Sequence, residues 1–263
     1  MFNSFSIGGV KKISSIRANI FEDYKFKYGN IGYLLALAHY FIIKNFNLVI
    51  AMHIEMHNQI KKYYYGEIKI INNFIEEEYL ENFRKNVKSD KKNIELIFVG
   101  TLTDRKNPIL AINLLKQLIE KGYNVNLKII GNGKLRLKLE ERVKKLNLLK
   151  QITFYGNIDE PYEMLSASDI MIMPSFSEGT SRAMLEALFL GILCIGRSIG
   201  GNEDLITDGY NGYLFHNDDD LLGKTLLAIK DIRLSNNEKK NLLLPNYSQK
   251  LIINKYIEIL NDY

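Results

Sequence analysis

From residue 94 onward the chain alternates short, continuous apolar runs with longer stretches whose apolar residues recur every three or four positions. The runs are IELIFVG (94–100), VNLKIIG (125–131), QITFYG (151–156), DIMIMPS (169–175) and ILCIG (192–196). Between them lie NPILAINLLKQLIEKG, GKLRLKLEERVKKLNL, EPYEMLSAS and TSRAMLEALFLG. Short apolar runs bounded by glycine read as buried strands, and the periodic stretches read as helices. In the first helix Asn107 is placed to N-cap, Pro108 suits the first turn and Gly122 the stop. Strands alternating with helices imply crossover connections and a parallel sheet, so residues 94–246 are expected to form a doubly wound α/β domain.

The first 93 residues show the same alternation in shorter form. KKISSIRAN, FNLVIAMH and EIKIINNF read as strands, YGNIGYLLALAHYFIIKN and IEMHNQIKKYYY as helices. The stretch YLLALAHYFIIKNF carries His39 and Lys44 and falls short of the ~20 residues that a membrane span needs, so it reads as a core helix. LPNYSQKLIINKYIEIL closes the chain as an amphipathic helix, expected over 247–263 and packed back on the N-terminal part.

Ligands of an open parallel sheet collect beyond the carboxyl ends of its strands. The loops there are GTLTDRKNP, GNGK, GNIDEP, PSFSEGTS and RSIGGNEDL. Each holds a glycine, a helix-starting residue or both, which favours anion binding through close backbone approach and helix N-termini. Within SEGTSRAMLEAL (177–188), Thr180 or Ser181 can cap a helix starting near Arg182. Glu178 then lies before the helix and Glu186 inside it, among apolar neighbours where a lone carboxylate is costly. A purely structural reading pairs Glu186 with Arg182 and leaves Glu178 as a turn acid. The functional reading makes both carboxylates acceptors for ligand hydroxyls, with Gly179, Thr180 and Ser181 holding a phosphate.

Composition, with 46% hydrophobic and 25% charged residues, is that of an ordinary globular protein. The single cysteine, Cys194, lies in an apolar run and suits a reducing compartment. The start MFNSFSIGGVKK is too polar for a secretory leader, so a cytoplasmic location is expected. The net charge of +5 is carried by residues 1–93, which hold 14 Lys/Arg against 9 Asp/Glu. The basic-aromatic stretch IKKYYYGEIKI within them reads either as a solvated face or as a peripheral contact with the inner face of a membrane. No nucleic-acid partner is expected. His53 and His57 follow a strand and can border an interdomain cleft. Their spacing suits a metal, but no third ligand is evident.

Glu-Gly followed by a second glutamate eight positions after the first resembles the signature of family 4 of the retaining nucleotide-sugar glycosyltransferases, which have the GT-B fold. FVGTLTDRKNPILAINLL, LKIIGNGKLRLKLE, ITFYGNID, LSASDIMIMPSFSEGTSRAMLEALFLG and GGNEDLITDGYNGYLF are similar to that family's blocks in order and spacing. The resemblance implies a donor domain that binds a nucleotide-sugar, expected to be UDP-linked because related enzymes commonly use UDP. Glu178 would contact the donor sugar, Glu186 the ribose hydroxyls and Lys106 the diphosphate. Gly100, Gly131, Gly133, Gly200 and Gly201 would line the donor site. The family's usual arginine after the first glycine is Thr101 here, and Arg105 is expected to supply that charge. The resemblance implies no cofactor and no metal, and HNDDDLL reads better as acids opening a helix than as a metal-binding motif.

The implied activity is retaining transfer of a hexose or N-acetylhexosamine to a glycan or lipid-linked acceptor in surface polysaccharide assembly. Only about 93 residues precede the donor domain, resembling the latter half of the family's acceptor domain. The alternatives are therefore a truncated protein that binds donor without turnover, or one half of a split transferase needing a complementing partner chain. A sugar-nucleotide epimerase on the same fold would need cleft acid/base residues that the sequence does not reveal.

Overall fold

The computed structural model describes residues 11–84, 93–234 and 239–262, so the leading MFNSFSIGGV lies outside the described residues. The first unit runs β1 (Ile13–Ser15), α1 (Ile20–Tyr28), α2 (Ile31–Ile43), β2 (Leu48–Ala51), α3 (Ile54–Lys61), β3 (Glu67–Ile70) and a short α4 (Glu77–Glu81). Its three strands pair in the order β1-β2-β3, all parallel. Helix α1 was not expected, because IFEDYKFKY lacks a helical apolar period. It is held by Asn19, whose side chain accepts the Glu22 amide, and by packing against α2.

The second unit contains β4 (Ile94–Val99), α5 (Pro108–Glu120), β5 (Val125–Ile130), α6 (Arg136–Lys145), β6 (Ile152–Gly156), α7 (Tyr162–Ser166) and β7 (Ile170–Met173). It continues through α8 (Arg182–Phe189), β8 (Leu193–Arg197), α9 (Gly200–Glu203), β9 (Gly212–Phe215) and α10 (Asp220–Leu234). Six parallel strands follow the order β6-β5-β4-β7-β8-β9. The order reverses between β4 and β7, and that reversal opens a crevice at the strands' carboxyl ends. Strand β9 extends the five strands read from the sequence. Pro108 opens α5 and Gly122 ends it at φ +82°, while Asn107 adopts a left-handed conformation with no side-chain cap bond.

One sheet face is covered by α5, α6 and α10 around Leu96, Phe98, Leu114 and Ile229. The other is covered by α7 and α8 around Ile97, Met171, Leu185 and Leu188. Burying a leucine or methionine side chain stabilises by about 1.5–3 kcal/mol, and Met184, Leu185 and Leu188 anchor α8 in this way. Helix α11 (Gln249–Asp262) returns to the three-stranded sheet, placing Ile252 and Ile259 against Leu48, Ile50 and Ile71.

Helix α2 is a core helix on one side only. Gly32, Ala36, Tyr40 and Ile43 are buried, but Ile31, Leu34 and Phe41 are exposed. Apolar composition predicted burial all round, and the first unit covers one face.

Candidate functional site at the strand-order reversal

Because β4 and β7 are neighbours, the loops that follow them meet although their residues are far apart in sequence. The Phe176 amide donates to the Arg105 carbonyl at 2.8 Å, tying the loops together. Lys106 Nζ donates to Glu178 Oε1 at 2.5 Å. Arg105 Nη1 donates to the Ser177 carbonyl at 2.5 Å and lies 3.7 Å from Glu178 Oε2. Side-chain exposure is 8% for Glu178 and 14% for Lys106, so this ion pair is largely withdrawn from water. Arg105 also faces Asp23 of α1 at 3.5 Å. Lys106 runs beside Gly100, where a Cβ would meet its methylenes at 3.6 Å.

The segment joining β7 to α8 is clamped by the first unit. Thr180 Oγ1 donates to the Met52 carbonyl at 3.3 Å, and Asn73 Nδ2 donates to the Thr180 carbonyl at 3.4 Å. Ser181 supplies the cap of α8, its Oγ accepting from the Met184 amide at 3.4 Å. A Cβ on Gly179 would collide with the Arg17 carbonyl, and one on Gly201 with the Gly179 carbonyl. Gly200 packs as tightly on His53 and Glu55, while Gly131 and Gly133 press on the backbones of Gly100 and Leu102. The strand-end glycines thus share one requirement, that two backbones or a backbone and a side chain touch where no Cβ fits.

Glu186 makes its ion pair within α8, with Arg182, rather than with that cluster. It is 6% exposed, and Arg182 Nε donates to its Oε1 at 3.2 Å. Burial raises its carboxyl to about 6, against the opposing pull of Arg182. The i, i+4 pair of the structural reading is therefore present. The acids of HNDDDLL are also engaged: Asp218 pairs with Arg197 at 2.6 Å, and Asp220 accepts the His216 amide at 3.2 Å.

A cavity of about 250 Å³ adjoins Glu178. Ser177, Glu178, Ser198 and Gly200 line it from the second unit, and Asn19, Glu22, His53 and Glu55 from the first. Its lining is rich in carboxylates, which accept hydrogen bonds from hydroxyls and repel anions. A second cavity, of about 370 Å³, lies on the other side of Arg105 and is lined by Lys27, Arg105 and Lys134 with Asp23 and Asp104. The two differ in character: a hydroxyl-accepting chamber on one flank of the Arg105–Glu178 pair, a cation-bearing one on the other.

His53 is 4% exposed. Its Nδ1 accepts the Met56 amide at 3.4 Å as the cap of α3, which leaves the ring proton on Nε2. Nε2 has no hydrogen-bond partner. Burial lowers the imidazole below its ordinary range, with Asp204 and Glu55 opposing, so the ring is a neutral donor. His57 does not join it and bonds the Asn58 side chain. The sequence singled out His53 by its place after β2. It offered no signal for Asn19, Glu22 or Glu55, whose position depends on how the two units pack.

Residues 80–242 match the glycosyl transferases group 1 family. The chain is 30% identical to the protein CapJ of Staphylococcus aureus, over 92% of this chain and 65% of CapJ. It is 32% identical to the Escherichia coli UDP-Gal:alpha-D-GlcNAc-diphosphoundecaprenol alpha-1,3-galactosyltransferase, over 54% of this chain and 38% of that enzyme. The chain thus spans less than two thirds of these relatives. Its fold matches S. aureus TarM, crystallised as a mutant with fondaparinux, alpha-GlcNAc-glycerol and UDP, with TM-score 0.74 and 22% identity over 95% of this chain and 51% of TarM. Strand order, the paired loops of β4 and β7 and the matched segment agree: the chain belongs to the glycosyl transferases group 1 family.

Proposed function

We propose that the protein is a retaining glycosyltransferase that moves a hexose or N-acetylhexosamine from a nucleotide-sugar, UDP-linked, to a glycan or lipid-linked acceptor in surface polysaccharide assembly. The observation that carries this reading is the Lys106–Glu178 pair at the strand-order reversal, flanked by a carboxylate-lined cavity and a lysine-lined one. The sugar ring lies in the cavity beside Glu178, whose volume is below the ~300–1,000 Å³ of sites for larger ligands. The diphosphate lies toward Lys106 and Arg105, exchanging with Glu178 for their protons' hydrogen bonds. Glu186 accepts the ribose hydroxyls, which gives a use to a charge that burial disfavours.

In the reaction the bond from the anomeric carbon to the diphosphate oxygen breaks with its electron pair passing to the leaving group. Lys106, Arg105 and the start of α8 stabilise the negative charge that develops there. The acceptor hydroxyl attacks the same face of the sugar, and its proton passes to a leaving phosphate oxygen. These residues supply the charge that a metal would otherwise supply, so turnover is expected to continue in EDTA. Among the relatives, the name of the E. coli enzyme specifies a UDP-linked donor and a diphosphoundecaprenol acceptor, which supports the donor and acceptor classes proposed here.

Calorimetry with UDP-, GDP- and ADP-sugars tests donor binding, and a product assay on polyprenyl-diphosphate-linked sugars tests transfer. Binding of none of these donors would refute the reading. Binding without transfer would favour a protein that needs a complementing chain.

A further inference from the structure

Helix α2 presents an apolar face to the outside of the molecule. Ile31, Leu34, Leu35, Ala38, Phe41 and Ile42 recur at helical spacing along it, and Ile31, Leu34 and Phe41 are 65%, 66% and 71% exposed. No charged residue lies within the helix. The side toward the protein is filled by Gly32, Ala36, Tyr40 and Ile43, so the outer face is left over after the unit has packed. Isolated exposed apolar residues are ordinary, but a continuous stripe of this kind marks an interaction surface.

Its surroundings specify the partner. From Tyr24 to Ile54 the chain carries Lys25, Lys27 and Lys44 and no acidic residue. Lys25 and Lys27 are exposed on the last turn of α1, next to the start of α2, and Lys44 is exposed at the end of α2. Cations therefore bound the apolar stripe at both ends. Tyr28 and Tyr33, 44% and 56% exposed, add aromatic rings with polar tips at the same edge. An apolar stripe between lysines, rimmed by tyrosines, matches an anionic bilayer surface, where acyl chains meet negatively charged headgroups. Among the described residues no helix is long and apolar enough to cross a membrane, so the contact would lie in the interface plane.

We propose that α2 docks the protein on anionic lipid, with Ile31, Leu34 and Phe41 entering the boundary of the acyl region and Lys25, Lys27 and Lys44 meeting lipid phosphates. Leu34, Phe41, Lys25 and Lys44 line neither of the cavities beside Glu178 and Arg105, so they can be changed without touching the donor site. Docking would place a lipid-linked acceptor and the protein on the same surface.

Vesicle flotation tests it, using phosphatidylcholine alone and phosphatidylcholine with about 30% phosphatidylglycerol. The full chain should float with the anionic vesicles and far less with the neutral ones. Leu34→Ser/Phe41→Ser should lower partitioning roughly tenfold or more, and Lys25→Glu/Lys44→Glu several-fold. All four side chains are exposed, so circular dichroism, melting temperature and calorimetric UDP-sugar titration should stay at wild-type values. Absence of flotation, or equal flotation of both variants, overturns the inference. It is also overturned if light scattering shows a dimer that Leu34→Ser/Phe41→Ser dissociates while vesicles are ignored, because a second copy then covers the face. Loss of UDP-sugar binding by wild type would defeat the donor reading and leave this result standing.

Discussion

Replacing Glu186 with glutamine exchanges a charge that burial disfavours for a neutral group of the same shape. Glu186 is 6% exposed, and burial raises its carboxyl from 4.5 to about 6. The folded chain therefore keeps a proton that the unfolded chain releases. The associated stability is fully present below about pH 4.5 and is lost as pH rises through about 6. At ~1.36 kcal/mol per pKa unit, full ionisation costs about 2 kcal/mol. That figure is already net of the pair with Arg182, which opposes the effect of burial, so glutamine removes the whole of it. The gain at pH 7.5 is about 2 kcal/mol, or roughly 4–8 °C in melting temperature for a chain of this size. At pH 4.5 the gain should vanish. Nucleotide affinity should move the other way, falling roughly tenfold, because a carboxylate accepts two hydroxyls better than an amide does. Thermal melts at the two pH values and calorimetric titration with UDP measure both effects. An unchanged or lowered melting temperature at pH 7.5 would refute the desolvation argument. Unchanged UDP affinity would refute the ribose assignment.

Substitutions at four further positions probe the cluster. Lys106→Ala strands the buried Glu178 carboxylate and should lower stability by about 3 kcal/mol, most of it regained in Lys106→Ala/Glu178→Gln; urea unfolding of the two variants measures this. Glu178→Gln alone should reduce turnover more than donor affinity, and a fully active variant in the product assay would remove its role at the sugar. Gly201→Ala forces a Cβ into the Gly179 carbonyl and should abolish UDP-sugar binding in calorimetry, whereas Gly223→Ala, where a Cβ meets open space, should leave it intact. His53→Asn keeps an acceptor for the α3 cap and removes the Nε2 donor. UDP-sugar affinity should fall about three- to tenfold with UDP affinity unchanged, and an equal loss for both ligands would assign His53 to structure alone.

Much of the second unit could be read from sequence because its strands are continuous apolar runs and its helices carry clear stop signals. Strand β9 escaped because Gly212–Phe215 is short and follows Asn211 and Gly209, residues that signal a turn. Helix α1 escaped because it is polar and owes its existence to the Asn19 cap and to α2. The outer face of α2 was misjudged because hydrophobicity does not say which side of a helix the rest of the chain covers. Lys106 and Glu178 could each be placed after a strand, but their meeting depends on β4 lying beside β7. The pairing of Glu178 with Lys106, and the first-unit lining from Asn19, Glu22 and Glu55, belong to packing between elements distant in sequence. Local pattern carries no information about them.

The placement of a diphosphate at Lys106 can be tested by comparing nucleoside with nucleoside diphosphate. Calorimetry would titrate uridine and UDP, with the guanosine and adenosine pairs alongside, into wild type and Lys106→Met. Methionine keeps the packing over Gly100 and removes only the charge. The account predicts that wild type binds the diphosphate at least tenfold more tightly than its nucleoside, and that Lys106→Met erases most of that difference while leaving nucleoside affinity alone. Equal binding of nucleoside and diphosphate by wild type, or a full diphosphate preference in Lys106→Met, would contradict it.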